Sequence, residues 1–542
     1  MKRALRLIRR NAPRQLSFWF IALMIGIAAG FAALLFRKAI YALQTFLYGT
    51  SDVSMASVAQ GLPWWWILVL PIFGGLIVGI ILDRFTEDGR VRSVADVIEG
   101  ASMQNGRVEM RAGLASAAAS LITLSSGGSS GREGPVVHLA GVISTWVCRR
   151  MHADGITGRD LLGCAVAAAV SASFNAPIAG ALFALEVVLR HFAVHAFAPI
   201  AIASVAGTVI SRLEYGDVHE FELTDVAALD FYVELPAFLI LGLICGLVAA
   251  ALMWSVFLTE DAVSKVQARL SMPRFLRPAL AGALLGTIAI GFPHIIGVGY
   301  ETTLRALSSD LLLREAIVFA IIKTIAVTIT LAGRMGGGIF SPSLMIGALT
   351  GLSFGIIATG IFPEVSGNES IYALAGMGAV AAAVLGAPIS TTLIVFELTG
   401  DWETGIAVMT AVSLSSALAS SLVNRSFFLT QLERRGQHLA AGPQAYVLAL
   451  QRVSSVMRSL AHPKAPPRSE LEELYNQGFR IDRMTTLEEA MPLFDKGKRE
   501  FLAVTSKAQG AESAELVGAL HYVDALEAYN HALAATAAEE HS

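Results

Sequence analysis

The sequence contains little charge and few cysteines. Only 15% of its 542 residues are Asp, Glu, Lys or Arg, which is too few for the surface of a soluble protein of this length. The 40 basic residues are balanced by 43 acidic residues, so the chain lacks the basic excess of a nucleic-acid-binding protein. The three cysteines, Cys148, Cys164 and Cys245, lie in apolar sequence without metal-ligand spacing. Neither a disulfide framework nor a zinc site is expected.

Hydrophobic residues make up 54% of the chain, and the mean hydropathy is +0.61. These values are typical of an integral membrane protein. Several apolar segments are shorter than the roughly 20 helical residues that span a bilayer. Short helices that end at Gly or Pro breaks are tolerated at membrane depth only where protein or an aqueous cavity surrounds them. We therefore expect an all-α membrane protein built from tilted and re-entrant helices.

One pattern occurs twice in the apolar sequence. Residues 163–186 and 376–397 each contain a Gly/Ala run, then Ala-Pro-Ile, then a glutamate nine residues after the proline. A glycine-rich break that ends in proline precedes each segment, as SSGGSSGREGP at 125–135 and GRMGGGIFSP at 333–342. Matching breaks in two halves are typical of transporters built from inverted repeats, with the substrate near the midplane.

The charge distribution predicts domains and orientation. We expect a basic amino-terminal segment at 1–16, a membrane domain at 17–435 and a soluble tail at 436–542. The two membrane halves are expected at about 17–213 and 235–435. The positive-inside rule places the basic turns and both termini in the cytoplasm and the acidic loop at 214–234 outside. The compact tail and short loops suggest a bacterial inner membrane.

The tail begins where the composition becomes polar. Its pattern predicts a helix at 486–494, strands at 500–504 and 516–520, and a helix at 523–533.

The segment GREGP at 131–135 opens an apolar helix. Unpaired N–H groups and the positive end of the helix dipole favour an anion there. Glu133 is an ionisable residue at membrane depth, which marks a candidate functional site. Its carboxylate could occupy the anion site and leave it when protonated or displaced; the alternative is an exposed helix-end charge. In the second break, Ile339 and Phe340 could offer backbone N–H groups to the same anion.

GREGP, GIFSP, the two Ala-Pro-Ile helices and the tail together resemble the CLC family of chloride channels and proton-coupled chloride exchangers. The likeness covers about residues 18–435. It implies an inverted-repeat bundle in the lipid bilayer, a homodimer with one anion pathway per subunit, chloride or a similar small anion as substrate, and no cofactor. It assigns Glu133 to the gating position. The anion-binding positions that it implies are Gly131, Arg132, Gly134, Gly338, Ile339 and Phe340.

Two expected hydroxyl groups of this family are missing from the aligned positions. The family's first anion loop falls on residues 91–95, where Arg92 replaces the serine. Two interpretations of Arg92 are open: it faces the vestibule and attracts anions, or it is a basic residue on a solvated turn. The family's anion-binding tyrosine falls on Phe428, which lines the inner gate or packs against a neighbouring helix.

The resemblance also bears on protons. Exchangers of the family often carry a second glutamate as an internal proton acceptor, and Val187 stands at that position. Glu186 before it is expected to be structural, since a carboxylate at a buried helix end usually accepts backbone N–H groups. His138 could titrate, but a lone histidine in a helix is more often a packed polar residue.

The tail resembles a single CBS module, a small α/β domain. The family's nucleotide signature falls on residues 518–524 and keeps Gly518 and Asp524 without the hydroxyl. A dimer-stabilising or regulatory role is therefore favoured over nucleotide binding.

The sequence thus favours chloride permeation that is channel-like or weakly proton-coupled. A chloride/proton antiporter and a transporter of another anion are the alternatives. An intramembrane enzyme is disfavoured, because no Ser/His pair, HExxH helix or paired-aspartate motif accompanies Glu133. A membrane sensor is poorly supported, since the tail carries no output domain.

Overall fold

The computed structural model describes most of the chain. It covers residues 2–437 apart from 154, 193, 217–230, 364–365, 367 and 400–401, and, in the tail, residues 448, 451–497, 499–506 and 515–540. Two compact units are present, Met1–Gln437 and His438–Ser542, so the boundary falls close to the one expected at 435. Most of the acidic loop expected at 214–234 lies outside the described residues.

The described part of the first unit is built from α-helices, α1 to α18 in chain order. The first half holds α1 (Lys2–Tyr48), α2 (Met55–Ala59), α3 (Trp64–Phe85), α4 (Val94–Met103), α5 (Met110–Ser126), α6 (Glu133–Met151), α7 (Gly155–Phe174), α8 (Pro177–Phe183) and α9 (Val194–Tyr215). The second half holds α10 (Phe231–Arg269), α11 (Leu276–Gly291), α12 (Tyr300–Leu307), α13 (Leu313–Ala332), α14 (Phe340–Ile361), α15 (Glu369–Leu385), α16 (Pro388–Thr399), α17 (Trp402–Val423) and α18 (Phe427–Arg434).

Both long and short apolar helices occur in this unit, as the sequence predicts. Among the described residues, 7 helices are long and apolar enough to cross a membrane, and α8, α11, α15 and α16 belong to shorter apolar helices. The expected helical membrane fold is confirmed. α1 continues from Lys2 through the boundary expected at residue 16, and its candidate membrane span is Leu16–Tyr48.

The two Ala-Pro-Ile helices begin in the same way. α7 ends before Asn175, which has φ +56°, and α15 ends before Gly386, which has φ +69°. A residue in the left-handed region ends a helix, and proline suits the first turn of the next one. α8 therefore begins at Pro177 and α16 at Pro388.

Each of these helices is capped by a glutamate of the other half. Glu397 accepts the N–H groups of Ile178 and Ala179 at 2.9 and 2.7 Å. Glu186 accepts those of Ile389 and Ser390 at 2.9 and 2.8 Å. Because the first N–H groups of a helix have no partner within it, a carboxylate there stabilises the helix. The structural role expected for Glu186 is confirmed.

Close backbone contact joins α14 to α15. A Cβ atom added at Gly351 would lie 2.0 Å from the carbonyl oxygen of Tyr372, and one added at Gly347 would lie 2.4 Å from that of Gly376. Gly347 and Gly351 form a GxxxG pattern, which lets membrane helices approach closely. This packing fixes α14, whose first residues belong to the second break, against α15.

The second unit is a small α/β domain. Its sheet has the order β1-β4-β3-β2, with β1 (Arg458–Ser459), β2 (Arg480–Asp482), β3 (Phe501–Ser506) and β4 (Glu515–His521). β2 is parallel to β3, and β4 is antiparallel to both of its neighbours. The described helices are Val453–Val456, Arg468–Asn476, Leu487–Gly497 and Tyr522–Glu540. The two helices and two strands expected from 486 onward are present, with boundaries shifted by a few residues.

Candidate anion-binding site

The two glycine-rich breaks are hydrogen-bonded to each other. The N–H group of Gly131 donates to the carbonyl of Gly338, and that of Gly338 donates to the carbonyl of Gly131, both at 2.7 Å. α6 begins at Glu133 and α14 at Phe340. The amino termini of two helices from opposite halves therefore meet at one place, as the repeated pattern predicts.

Glycine is required at the second break. Gly337 has φ +115°, which side chains rarely adopt, and a Cβ atom there would lie 2.0 Å from Oγ of Ser130. The N–H groups of Gly131 and Gly338 are used in the bonds between the breaks. The donors that remain are those of the first turns of α6 and α14, where the two helix dipoles favour a negative charge.

The carboxylate of Glu133 lies inside this junction. The residue is 2% exposed. The Ser341 hydroxyl, from the first turn of α14, donates to its Oε1 atom at 2.5 Å. Glu133 therefore connects the two halves through its side chain as well as through the neighbouring backbone. Its negative charge occupies the region that the two helix termini make favourable for an anion.

Arg132 lies next to Glu133 at the junction of the two breaks. Its Nε atom is 3.9 Å from Oε1 of Glu133, while its guanidinium lies over the ring of Tyr300, 5.0 Å from the centroid. Its Nη1 atom also donates to the Tyr41 hydroxyl at 3.4 Å. Since the residue is 3% exposed, these contacts hold a permanent positive charge close to Glu133.

Phe340 forms an apolar wall at the start of α14. Its ring centroid lies 4.8 Å from that of Phe174 and 5.8 Å from that of Phe183. Ile339 and Phe340 are 1% and 2% exposed. Their N–H groups stand at the beginning of a helix, where donors have no partner within the helix.

Arg92 is held by carboxylates and faces a polar cavity that His138 also lines. Its guanidinium lies 3.0 Å from Asp88, 3.1 Å from Glu109 and 3.8 Å from Asp96. Burial disfavours its charge, but these carboxylates raise the pKa of Arg92 above its usual value. The guanidinium of Arg92 is therefore paired with carboxylates at the wall of this cavity.

Ser93 is the residue of this loop that lies beside the break. Its Cβ atom is 3.8 Å from the position of a Cβ atom at Gly134, and it directly precedes α4. Within residues 91–95, Ser93, one residue after Arg92, is therefore the serine whose side chain lies near the first break. A sequence signal was available, because Ser93 and Asp96 have the spacing of a capping box, and the Asp96 carboxylate does accept the N–H of Ser93 at 2.7 Å.

Phe428, Val187 and His138 are packed side chains. Phe428 is 4% exposed and contacts Phe427 edge to face, with the centroids 6.0 Å apart. Val187, 5% exposed, lies in a π-helical turn after α8. His138 is 1% exposed and packs against Gly113, where a Cβ atom would lie 2.5 Å from its ring. Gln431, one turn beyond Phe428, lines the cavity that leads to Ser93 and Gly337.

Sequence reasoning missed Lys323, a fully buried lysine in the middle of α13. Its ammonium donates to the carbonyls of Ile295 and Gly297 at 3.2 and 3.1 Å. The N–H of Gly297 in turn donates to the carbonyl of Gly128 in the first break at 3.1 Å. Lysine in an apolar membrane helix is rare and points to a specific role; here it holds the turn that supports the first break.

A membrane helix bundle with two broken helices converging on a buried carboxylate defines a membrane transport protein. The chain belongs to the voltage gated chloride channel family, whose family model matches residues 74–420.

Relatives of known name agree with this assignment. The chain is 31% identical over 397 residues to a putative chloride channel protein, ClcB-like, of Ralstonia nicotianae, covering 72% of this chain and 91% of the relative. It is 28% identical over 419 residues to the voltage-gated ClC-type chloride channel ClcB of Escherichia coli, covering 75% of this chain and 97% of the relative.

Solved structures share the fold. A slow cyanobacterial Cl⁻/H⁺ antiporter aligns with a TM-score of 0.68 at 20% identity, over 77% of this chain and 97% of that one. A CLC-type fluoride/proton antiporter aligns with a TM-score of 0.64 at 17% identity, over 76% and 97%. A eukaryotic CLC transporter aligns with a TM-score of 0.67 at 18% identity and covers 94% of this chain and 98% of that one. At these identities the likeness concerns the fold.

Proposed function

We propose that the protein transports chloride, or a similar small anion, across a membrane through the junction of its two helix breaks, and that Glu133 gates this pathway. The observation that carries the proposal is the meeting of α6 and α14 at Gly131 and Gly338 with the Glu133 carboxylate buried between them. Two helix amino termini stabilise one negative charge. The carboxylate and a permeating anion therefore compete for the same place.

The anion-binding groups that we propose are the backbone around Gly131, Gly134 and Gly338, the N–H groups of Ile339 and Phe340, and the Ser93 hydroxyl. Arg132 contributes a nearby positive charge. We do not assign Arg92 to the pathway, since three carboxylates surround it. Phe428 acts through packing.

Transport is proposed to be channel-like or weakly coupled to protons, because Val187 stands where exchangers often carry an internal proton acceptor. The alternative, a chloride/proton antiporter, is supported by structural neighbours, of which one is a Cl⁻/H⁺ antiporter and another a CLC-type fluoride/proton antiporter. Another anion as substrate remains the third alternative. Field strength and the cost of desolvation decide such selectivity.

The test is chloride efflux from proteoliposomes with simultaneous recording of protons, for the native chain and for Glu133→Gln. We expect chloride efflux without proton movement. The efflux should be faster and less dependent on pH in Glu133→Gln than in the native chain. The matched control is Asp83→Asn, an exposed carboxylate at the end of α3. Stoichiometric proton counterflow that disappears in Glu133→Gln would establish the antiporter, and unchanged efflux in that variant would refute the gate.

We also propose a homodimer with both termini in the cytoplasm of a bacterial cell. The family resemblance supports the dimer, and the basic turn at residues 84–92 supports the orientation. Light scattering of the purified protein in detergent tests the dimer, and labelling of an introduced terminal cysteine in intact cells tests the orientation.

A further inference from the structure

A cavity of about 280 Å³ lies beside the helix breaks and is lined in part by Ser93 and Gly337. A single water molecule needs roughly 10–15 Å³ of such space, so the cavity is far larger than one halide ion. Its charged lining consists of two carboxylates and four guanidinium groups: Glu260, Asp261, Arg90, Arg334, Arg434 and Arg435. The lining therefore carries an excess of positive charge.

Arg334 is the least compensated of these arginines. Its Nη1 atom donates to the backbone carbonyl of Asp88 at 3.0 Å, and its buried Nε atom has no hydrogen-bond partner among the described residues. No carboxylate of the described chain lies within ion-pair distance of it. Burial and the neighbouring Arg90 lower the pKa of Arg334 from its usual value. An anion in the cavity would relieve both the missing hydrogen bond and the repulsion.

The backbone of Arg334 ends α13. Its φ angle is +58°, the left-handed conformation with which helices commonly end, and the N–H of Met335 donates to the carbonyl of Thr330 at 3.1 Å. Arg334 therefore has a defined backbone position between α13 and the second break.

The other arginines have partners that leave donors facing the cavity. Arg90 lies 3.6 Å from Glu260, and Arg435 lies 2.8 Å from Asp96. Arg434 pairs with Asp261. Each guanidinium has five N–H donors, so one carboxylate does not saturate it. Several forked donors around one space match the geometry of an oxyanion better than that of a spherical halide.

We propose that this cavity is a binding site for a phosphate-class oxyanion, free or carried by a larger molecule, and that its occupancy blocks the anion pathway. The bound group lies against Arg334 and Arg90 and closes the space next to Ser93 and Gly337. The blocking effect rests on the proposed function, whereas binding of the oxyanion does not.

Binding is tested with the purified full-length chain in detergent and inorganic phosphate as the probe. Phosphate is expected to raise the thermal midpoint and to give a saturable heat in calorimetry, beyond the effect of gluconate at equal ionic strength. Arg334→Gln and Arg90→Gln should each weaken binding about tenfold, the loss expected for one charged hydrogen-bonding group. The matched control is Arg269→Gln, an exposed arginine on α10 that does not line the cavity. If Arg334→Gln aggregates on gel filtration, Arg90→Gln decides the result.

Blocking is tested by chloride efflux from proteoliposomes with phosphate on either side. We expect phosphate on one side of the membrane to inhibit chloride efflux by the native chain. This inhibition should be relieved in Arg334→Gln and retained in Arg269→Gln. Equal effects of phosphate and gluconate, equal weakening by the control variant, or displacement of phosphate by equimolar chloride would overturn the site. A native chain that binds phosphate but passes no chloride in phosphate-free buffer would refute the proposed function and leave the binding site standing. A phosphate-bearing molecule that binds at least tenfold more tightly than inorganic phosphate would support the site. It would also show that the bound phosphate group belongs to a larger molecule.

Discussion

The hydrogen bond between Ser341 and Glu133 determines how firmly the carboxylate is held in the junction. The hydroxyl belongs to α14 and the carboxylate to α6, so this bond crosses the boundary between the two halves. A hydrogen bond to a charged group contributes about 1.5–3 kcal/mol. Its strength therefore affects the balance between a junction occupied by Glu133 and one open to an anion.

We expect Ser341→Ala to increase chloride efflux by about tenfold or more, because the carboxylate loses its cross-half donor and leaves the junction more often. Ser343→Ala is the matched control, since that hydroxyl donates to the carbonyl of Phe340 and not to Glu133. Efflux from proteoliposomes measures both variants. Equal efflux in Ser341→Ala and the native chain would show that Glu133 is held by other groups.

Ser93 and Arg92 are adjacent in sequence but are expected to respond differently to substitution. Ser93→Ala should weaken the apparent affinity for chloride or change the order of anion selectivity, because Ser93 lies next to Gly134. Arg92→Gln should lower the thermal midpoint and leave selectivity unchanged, because it leaves three carboxylates without their shared cation. Efflux in a series of halides and oxyanions distinguishes them. A selectivity change in Arg92→Gln alone would place Arg92 in the pathway.

At the level of single residues, the sequence predicted the features that both halves share. It missed contacts that occur in only one half. The pairing of Gly131 with Gly338 followed from the repeated breaks. The place of Ser93 did not, because the family alignment through residues 91–95 lacks its glycines and proline, and only the start of α4 fixes which residue faces the break. The role of Lys323 depends on a turn 26–28 residues earlier in the chain, which no local pattern indicates.

Among the helices, the reciprocal caps of α8 and α16 join the two halves at a second place. Each carboxylate accepts two backbone N–H groups of the other half. Glu186 also accepts the Ser390 hydroxyl at 2.7 Å, a contact for which Glu397 has no counterpart among its described hydrogen bonds. The pair therefore stabilises the relative position of the two Ala-Pro-Ile helices.

We expect Glu186→Gln and Glu397→Gln each to destabilise the membrane unit by about 1.5–3 kcal/mol, because each replaces a carboxylate at a helix amino terminus by a neutral amide. The loss should be larger for Glu186, which also accepts a hydroxyl. Thermal midpoints in detergent measure the effect, with Glu87→Gln, an exposed residue after α3, as the control. A loss no larger than that of the control would mean that the caps contribute little.

Helix positions were predictable where glycine, proline and apolar runs coincide. The starts of α8 and α16 follow from Pro177 and Pro388, and the tail strands β3 and β4 follow from short apolar runs. The helix Arg468–Asn476 and the strand β2 were not expected, because the three prolines in residues 463–467 before them favour turns over regular structure. The short strand β1 lacks a pattern of its own and exists because it pairs with β4.

For the whole molecule, the chain divides into two compact units, Met1–Gln437 and His438–Ser542. In the tail, Asp524 is engaged by Arg458, whose Nε and Nη2 atoms donate to its two oxygens at 2.6 Å each. This aspartate belongs to the sequence that resembles a nucleotide signature. A carboxylate bound to an arginine in this way is less available to a ribose hydroxyl, which favours a structural or regulatory role for the tail.

We expect Asp524→Asn to lower the thermal midpoint of the tail without changing chloride efflux at neutral pH. The forked pair connects β1 to the first turn of the helix Tyr522–Glu540, so its loss weakens the tail alone. Calorimetry of the full-length chain, with Glu527→Gln on the exposed face of the same helix as control, measures stability.

ATP should shift neither the midpoint of the native chain nor its efflux. An efflux change in Asp524→Asn that the control does not share would show that the tail regulates the membrane unit, and an ATP-induced rise in the midpoint would show that the Arg458 pair yields to a nucleotide.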